Sequence, residues 1–280
     1  MLLPYLVGSL LLVGLPALLS AVLAFTSYDA LSPPVFVGFS NFRLLAADPI
    51  VGTAVVNTLF FLVLAVPLRV LGALGLALLL ARPRRGIGGY RAAVYLPTVI
   101  PDVAFALIWL WIFNPLFGPL NTVLGLFGLP GPGWLADADT ARFPFVIMAA
   151  FQIGEGFVIL LAALRGLSGE VFEAGAIDGA GRWATFRFLT LPLLVPWLVL
   201  LTVRDVIVGL GWTFTPAYVM TGGDPYYATT FLPLLVYEEA FDRFRFGMGS
   251  ALMLVMFLLS VALIGAIYLF FRRRGYVADV

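Results

Sequence analysis

Arg69, Asp102, Glu155, Arg204 and Asp205 are charged side chains set in or beside long apolar runs. An ionised group there is costly unless it is paired or serves a polar path. Two kinds of chemistry fit. Carboxylates, amides and aromatic faces can hold solute hydroxyls briefly and release them. That reading sets Trp111, Asn114, Gln152, Glu155, Arg204, Asp205, Trp212 and Phe214 along a translocation path. The competing chemistry is ion pairing between helices, for instance Glu155 with Arg204, since buried charges usually pair. Arg204 and Asp205 are adjacent, hence about 100° apart on a helix. The spacing predicts that they do not neutralise each other side by side, and that at least one finds a partner on another helix or in a water-filled cavity. Aromatic residues in such runs also serve packing and interfacial anchoring.

The residue types that are missing exclude more. All 16 basic residues are arginine; lysine, histidine and cysteine do not occur. Disulfides, thiol catalysis, the usual zinc sites and histidine acid–base chemistry are therefore out of reach. No catalytic triad or metal site can be assembled. Without a Walker A lysine the chain cannot cradle ATP in the P-loop manner. An intramembrane enzyme would have only scattered carboxylates to work with. The net charge of +1 gives no indication of a nucleic-acid partner.

The elements that must position these residues follow from composition. Of 280 residues, 62% are hydrophobic and 11% charged, with a mean hydropathy of +1.07. A soluble domain carries roughly a quarter charged residues, so the natural solvent of this chain is a lipid bilayer. A membrane-spanning helix needs about 20 mainly apolar residues. Six segments qualify: Tyr5–Phe25, Ala54–Leu80, Ala92–Phe113, Phe143–Leu164, Leu191–Trp212 and Met248–Phe271. The fold class is all-α, a polytopic membrane protein. Pro97 and Pro101 predict a break or bend in the third span.

Arginine asymmetry orients the spans. Arg82, Arg84, Arg85, Arg91, Arg165, Arg182, Arg187, Arg272, Arg273 and Arg274 fall on one side; only Arg43, Arg142, Arg243 and Arg245 fall on the other. Ten against four places both termini in the cytoplasm. The first span has no basic residue before it, unlike a secretory signal, and is expected to be an uncleaved helix. Cleavage after Val22-Leu23-Ala24 would leave five spans.

A polar, glycine-punctuated segment at about 166–190 interrupts the apolar runs on the cytoplasmic side. Ser168 is positioned to cap a short helix, with Glu170 in its first turn. Phe172, Gly175 and Ala176 share a face, with Glu173 and Ile177 beside it. Gly179 and Gly181 end the helix, and the stretch Arg182–Thr190 leads to Leu191-Pro192 at the next span. The expected shape is a helix–turn–helix across the cytoplasmic mouth, with Phe172 offered to another protein's groove. An ordinary amphipathic loop is the plainer alternative.

The spacing of this segment resembles a known family. Glu173, Ala174, Gly179, Leu191 and Pro192 match the Glu-Ala-Ala…Gly…Ile-x-Leu-Pro pattern of the membrane subunits of binding-protein-dependent ABC importers. Gly175 stands where the second alanine is usual, and Leu189 where isoleucine is. Asp178-Gly179-Ala180 and the Pro192/Pro196 pair resemble the sugar-type permeases. So do Phe36–Phe42, Asn57–Phe60, Tyr95-Leu96-Pro97, Phe113-Asn114-Pro115 and Thr221–Pro225, with Asp224 in place of a glycine. The likeness runs over nearly the whole chain.

The resemblance implies the permease fold of type I ABC importers: one transmembrane domain over 1–280, with its core at 54–271. It implies a multi-pass protein of the cell membrane, in contact with lipid. It makes the 166–190 segment a coupling helix between spans four and five, seated in a cytoplasmic ATPase. Phe172, Glu173, Ala174, Gly175, Asp178, Gly179, Leu191 and Pro192 would carry that contact. The implied partners are a second and different permease subunit, two ABC ATPases that use ATP and magnesium, and an extracytoplasmic solute-binding protein. This chain would bind no cofactor itself. The implied solute is a sugar or polyol, phosphorylated ones included. A non-sugar solute, or a secondary transporter with inverted repeats, is the alternative.

Overall fold

The computed structural model describes residues 2–273, so Arg274, counted above in the orientation, lies outside the described residues. Four helices are long and apolar enough to cross a bilayer without a sharp bend. These are α1 (Leu3–Leu23), α3 (Pro49–Leu80), α10 (Arg182–Met220) and α12 (Phe246–Arg273). A short α2 (Ser40–Ala47) precedes α3. Two bent pairs supply the other crossings: α4 (Ile87–Val99) with α5 (Asp102–Ile112), and α7 (Phe143–Phe151) with α8 (Gly154–Arg165). Counting each pair as one crossing gives six. Short helices α6 (Pro119–Leu126), α9 (Gly169–Ile177) and α11 (Leu232–Tyr237) fill the connections. An antiparallel ribbon of β1 (Thr26–Ser27) and β2 (Val35–Phe36) follows α1.

The break or bend that Pro97 and Pro101 predict in the third span is present, and it turns the chain by 100°. Its cause is the pair of prolines. Pro97 sits in a tight 3-10 turn, and Ile100 is extended because the ring of Pro101 excludes the helical region for the residue before it. The 43° bend between α7 and α8 was not expected from the sequence. Gln152 leaves the helical region there (φ −96°, ψ 48°), and Gly154 follows.

The core is organised around α3. Its buried stripe repeats at three and four residues, through Phe61, Leu62, Ala65, Val66, Arg69, Val70, Ala73 and Ala77. It packs against α7, α8 and α10. Alanines and glycines at these contacts let backbones approach, as membrane helices require in the absence of a hydrophobic drive between them. A methyl on Gly156 would lie 3.3 Å from the Ala73 Cβ, and one on Gly209 3.1 Å from Leu62. By contrast, the apolar window of α1 has no buried residue, and α1 rests against α12 alone among the long helices.

Several motif residues are structural clamps. Asn41 donates to the carbonyls of Ala24 and Thr26, both at 2.9 Å, and fixes the loop after α1. Asn57 donates to Tyr227 O and Thr230 O at 2.9 and 3.0 Å, while Thr58 Oγ1 accepts from Leu232 N. These bonds tie the N-terminal part of α3 to the 227–232 stretch that follows Thr221–Pro225, some 170 residues away in sequence. Arg91 donates to Leu80 O and so closes the C-terminus of α3. Asn57→Leu should strand two carbonyls and cost about 1–3 kcal/mol. The thermal midpoint of the purified protein in detergent should fall accordingly, whereas an unchanged midpoint would show that the clamp is dispensable.

Candidate functional site

Both bends open onto one polar cavity of about 200 Å³. Arg69 reaches it from α3, Thr98 from α4 and Asp102 from the first turn of α5. Gln152 enters from the break after α7, Glu155 from the first turn of α8, and Arg204, Val208 and Trp212 from α10. Interrupted helices at membrane depth are tolerated where their freed backbone lines a cavity or is buried in protein. The two breaks also meet each other: a methyl on Gly154 would lie 2.9 Å from the Cα of Tyr95.

An ion network backs the cavity. Arg69 Nε lies 3.3 Å from Asp205 Oδ2, and both side chains are less than one-tenth exposed. Arg204 pairs with Glu155 across to α8 and also donates to Asp205 at 2.8 Å. The expectation that Arg204 and Asp205 would not meet is therefore corrected. The long guanidinium stem folds back over the intervening 100°, which the helical-wheel argument ignores. The expected Glu155–Arg204 pair is present. Gln152 is only 8% exposed, and its amide has no hydrogen-bond partner among the described residues. Asp102 likewise has no ion pair or hydrogen bond among them.

Of the residues expected along a path, Gln152, Glu155, Arg204 and Trp212 come together here, and Asp205 stands behind Arg69 and Arg204. The remainder lie elsewhere. Asn114 Oδ1 accepts from the amides of Leu116 and Phe117 and closes a turn. Trp111 is exposed on α5, and Phe214 stacks on Tyr218. Arg69 and Asp102 were legible as intramembrane charges but not as partners in one cavity. Thr98 carried no signal beyond a polar residue between two prolines.

The polar 166–190 segment folds as a second candidate site. Within it, α9 has no buried residue and ends in a Schellman motif at Gly179 (φ +77°). Ala180 N donates to Gly175 O at 2.9 Å and Gly179 N to Ala176 O at 3.1 Å. Ser168 does occupy the N-cap, but its side chain makes no capping bond. Phe172 is partly buried, and Ile177 projects at 87% exposure, beside the exposed Glu173, Ala174 and Asp178. The second arm is no separate helix. Arg182–Thr190 runs straight into the span as the start of α10. A π-turn at Phe186–Thr190 widens the backbone just before Leu191-Pro192. That relieves the carbonyl that the Pro192 ring would otherwise strike.

The two departures from the expected pattern explain each other. A methyl on Gly175 would come within 2.7 Å of Leu189 Cδ1. Glycine thus makes room for a leucine that reaches further than isoleucine would.

Fold and sites together define an all-helical transport subunit: a polar cavity among broken helices, with an exposed helix at one mouth. A family model for the binding-protein-dependent transport system inner membrane component matches residues 70–276. The chain belongs to that family. It is 32% identical over 278 residues to a probable ABC transporter permease protein, YesP, of Bacillus subtilis, covering 98% of this chain and 88% of that one. It is 34% identical over 256 residues to the sulfoquinovosyl glycerol transport system permease protein SmoG of Agrobacterium fabrum, covering 89% and 82%. It is 32% identical over 229 residues to the trehalose/maltose permease protein MalF of Thermococcus litoralis, covering 81% and 77%. A bacterial alginate ABC transporter, solved with an alginate pentasaccharide-bound periplasmic protein, contains a chain of the same fold. The TM-score is 0.82 at 22% identity, covering all of this chain and 95% of that one.

Asp205→Asn should leave Arg69 buried without its counter-charge and cost about 3–5 kcal/mol, while Arg69→Leu with Asp205→Leu should recover most of it. Thermal unfolding of the two variants separates these outcomes. At the docking helix, Gly175→Ala gains helix propensity of up to about 1 kcal/mol but crowds Leu189. Adding Leu189→Ile should relieve that crowding, giving a coupling of about 0.5–1 kcal/mol in a double-mutant cycle. Strict additivity would show that the two positions do not pack.

Proposed function

We propose that this chain is the permease subunit of an ABC importer for a sugar or sugar-like polyol. With a second, different permease it forms the path across the membrane. The observation that carries the reading is the polar cavity itself, lined by a Gln152 amide with no side-chain partner and by Trp212, whose buried Nε1–H has no acceptor among the described residues. Such a group costs free energy unless something polar meets it. The sugar class is supported by the printed substrates of the relatives, sulfoquinovosyl glycerol and trehalose/maltose.

An extracytoplasmic binding protein delivers the solute, and two cytoplasmic ABC ATPases consume ATP and magnesium. This chain, without a lysine, supplies no P-loop of its own. The chain is one transmembrane domain with its core at 54–271 and both termini in the cytoplasm. In the coupling segment, Phe172 and Gly175 hold α9 to the body through the Leu189 side. Glu173, Ala174, Asp178 and Gly179 face the ATPase, and Leu191 and Pro192 pass the motion into α10.

Glu173→Ala removes a charge from the exposed face, and Gly179→Val forces a branched residue to φ +77° at a cost of about 1–3 kcal/mol. In cells carrying the complete transporter, each should lower uptake of labelled trehalose or maltose by more than about tenfold, the level of a 1.4 kcal/mol loss in coupling. Chain levels in the membrane should be unchanged. Normal uptake together with normal co-purification of the ATPase in both variants would sink the coupling role.

A further inference from the structure

We propose that the cavity at the two helix breaks selects an uncharged, hydroxyl-rich solute and rejects anionic ones, carboxylated and phosphorylated sugars included. The inference rests on the cavity belonging to the solute path, and it narrows the substrate class within that reading.

The argument is one of charge and of unmet hydrogen bonds. Both guanidiniums at the cavity are already engaged: Arg69 by Asp205, and Arg204 by Asp205 and Glu155. No third cation lines the space. Asp102 lines it from the first turn of α5, and its side chain has no ion pair or hydrogen bond among the described residues. Two guanidiniums thus meet three carboxylates, leaving one negative charge in excess. An incoming carboxylate or phosphate would be repelled by that excess. To gain a cation it would have to break a pair already made, which strands a buried carboxylate.

A hydroxyl group meets the opposite situation. It donates to Asp102 or to Glu155, whose side chain is 48% exposed. It accepts from the Gln152 amide, which offers both a donor and an acceptor and has neither satisfied among the described residues. Thr98 Oγ1 spends its proton on Tyr95 O at 2.6 Å and so remains an acceptor for solute hydroxyls. Trp212 flanks the space with its ring, and its buried Nε1–H has no acceptor among the described residues. At about 200 Å³ the space is smaller than the roughly 300–1,000 Å³ of a pocket that encloses a drug-sized ligand. It fits part of a solute, in keeping with a path shared between two permeases.

The test uses the complete transporter, assembled with its partner subunits in lipid nanodiscs without binding protein. Saturation-transfer difference NMR measures binding of methyl glucoside, glucuronate and leucine, each titrated alone. Methyl glucoside should bind at least about tenfold more tightly than glucuronate, as expected for one unscreened like charge nearby. Asp102→Asn should shrink that preference to about threefold or less, with methyl glucoside affinity changing far less than that of glucuronate. Glucuronate binding as tightly as methyl glucoside in the wild type would overturn the charge assignment while leaving the sugar reading intact. A preference that survives Asp102→Asn unchanged would overturn the role of Asp102. Binding of leucine with neither carbohydrate would overturn this inference and the sugar reading together.

Discussion

The Arg69–Asp205 pair is the constraint on which the rest of the structure depends. A guanidinium more than nine-tenths buried in the middle of an apolar helix is tolerable only with a counter-charge in place. That requirement sets α10 against α3 in a single register, because sliding either helix by one turn would separate the charges by about 5 Å. Arg204, next in the chain, is then aimed at Glu155 on α8. Three helices are thereby fixed to one another by four side chains. The glycines and alanines along α3 supply the close approach that this register needs, and the aromatic stack of Phe61 on Trp212 adds to it.

Around that network the helices are broken where a straight rod would have filled the space. The 100° bend before α5 and the 43° bend before α8 both border the cavity. They are packed on each other through Gly154, where a side chain would collide with the backbone of α4. Each break withdraws main chain from the centre and leaves a first-turn carboxylate, Asp102 or Glu155, at the opened end of a new helix. The same device therefore makes the space and furnishes it.

Much of this was legible in the sequence, and the misses have physical causes. Composition and arginine placement reveal apolar spans because the bilayer penalises every exposed polar group alike. Pro97 and Pro101 announce their break, since a missing N–H and a fixed φ act locally. The break at Gln152 has no such local marker; it is set by tertiary packing at Gly154, which periodicity does not sense. The intramembrane charges were visible one by one, yet their assembly depends on contacts between α3, α8 and α10 that no spacing encodes. Asn114 and Asn57 look alike as polar residues near span ends, but one closes a local turn and the other ties down a loop 170 residues away. Phe172 is partly buried, and one turn on Gly175 lacks the side chain that would crowd Leu189, a tertiary fit that spacing alone does not show.

The exposed helix α9 and the cavity are joined by rigid elements on both sides of α9. Before it runs α8, whose first turn carries Glu155; after it runs α10, which carries Arg204. Arg204 lies about 33 Å along α10 from Arg182 at 1.5 Å per residue. The π-turn at Phe186–Thr190 is the one widened point in between, so displacement of α9 reaches the cavity with little loss along the α-helical remainder. On the proposed coupling role, a push on α9 shifts the far ends of α8 and α10 relative to each other. The contact across those ends at the cavity is Glu155 with Arg204, the half-exposed and hence weaker member of the ion network. The buried Arg69–Asp205 pair resists separation, because parting it strands two charges away from water. The network is thus graded: a hinge that holds at Arg69–Asp205, and a contact that can open at Glu155–Arg204, facing the space where a solute would pass.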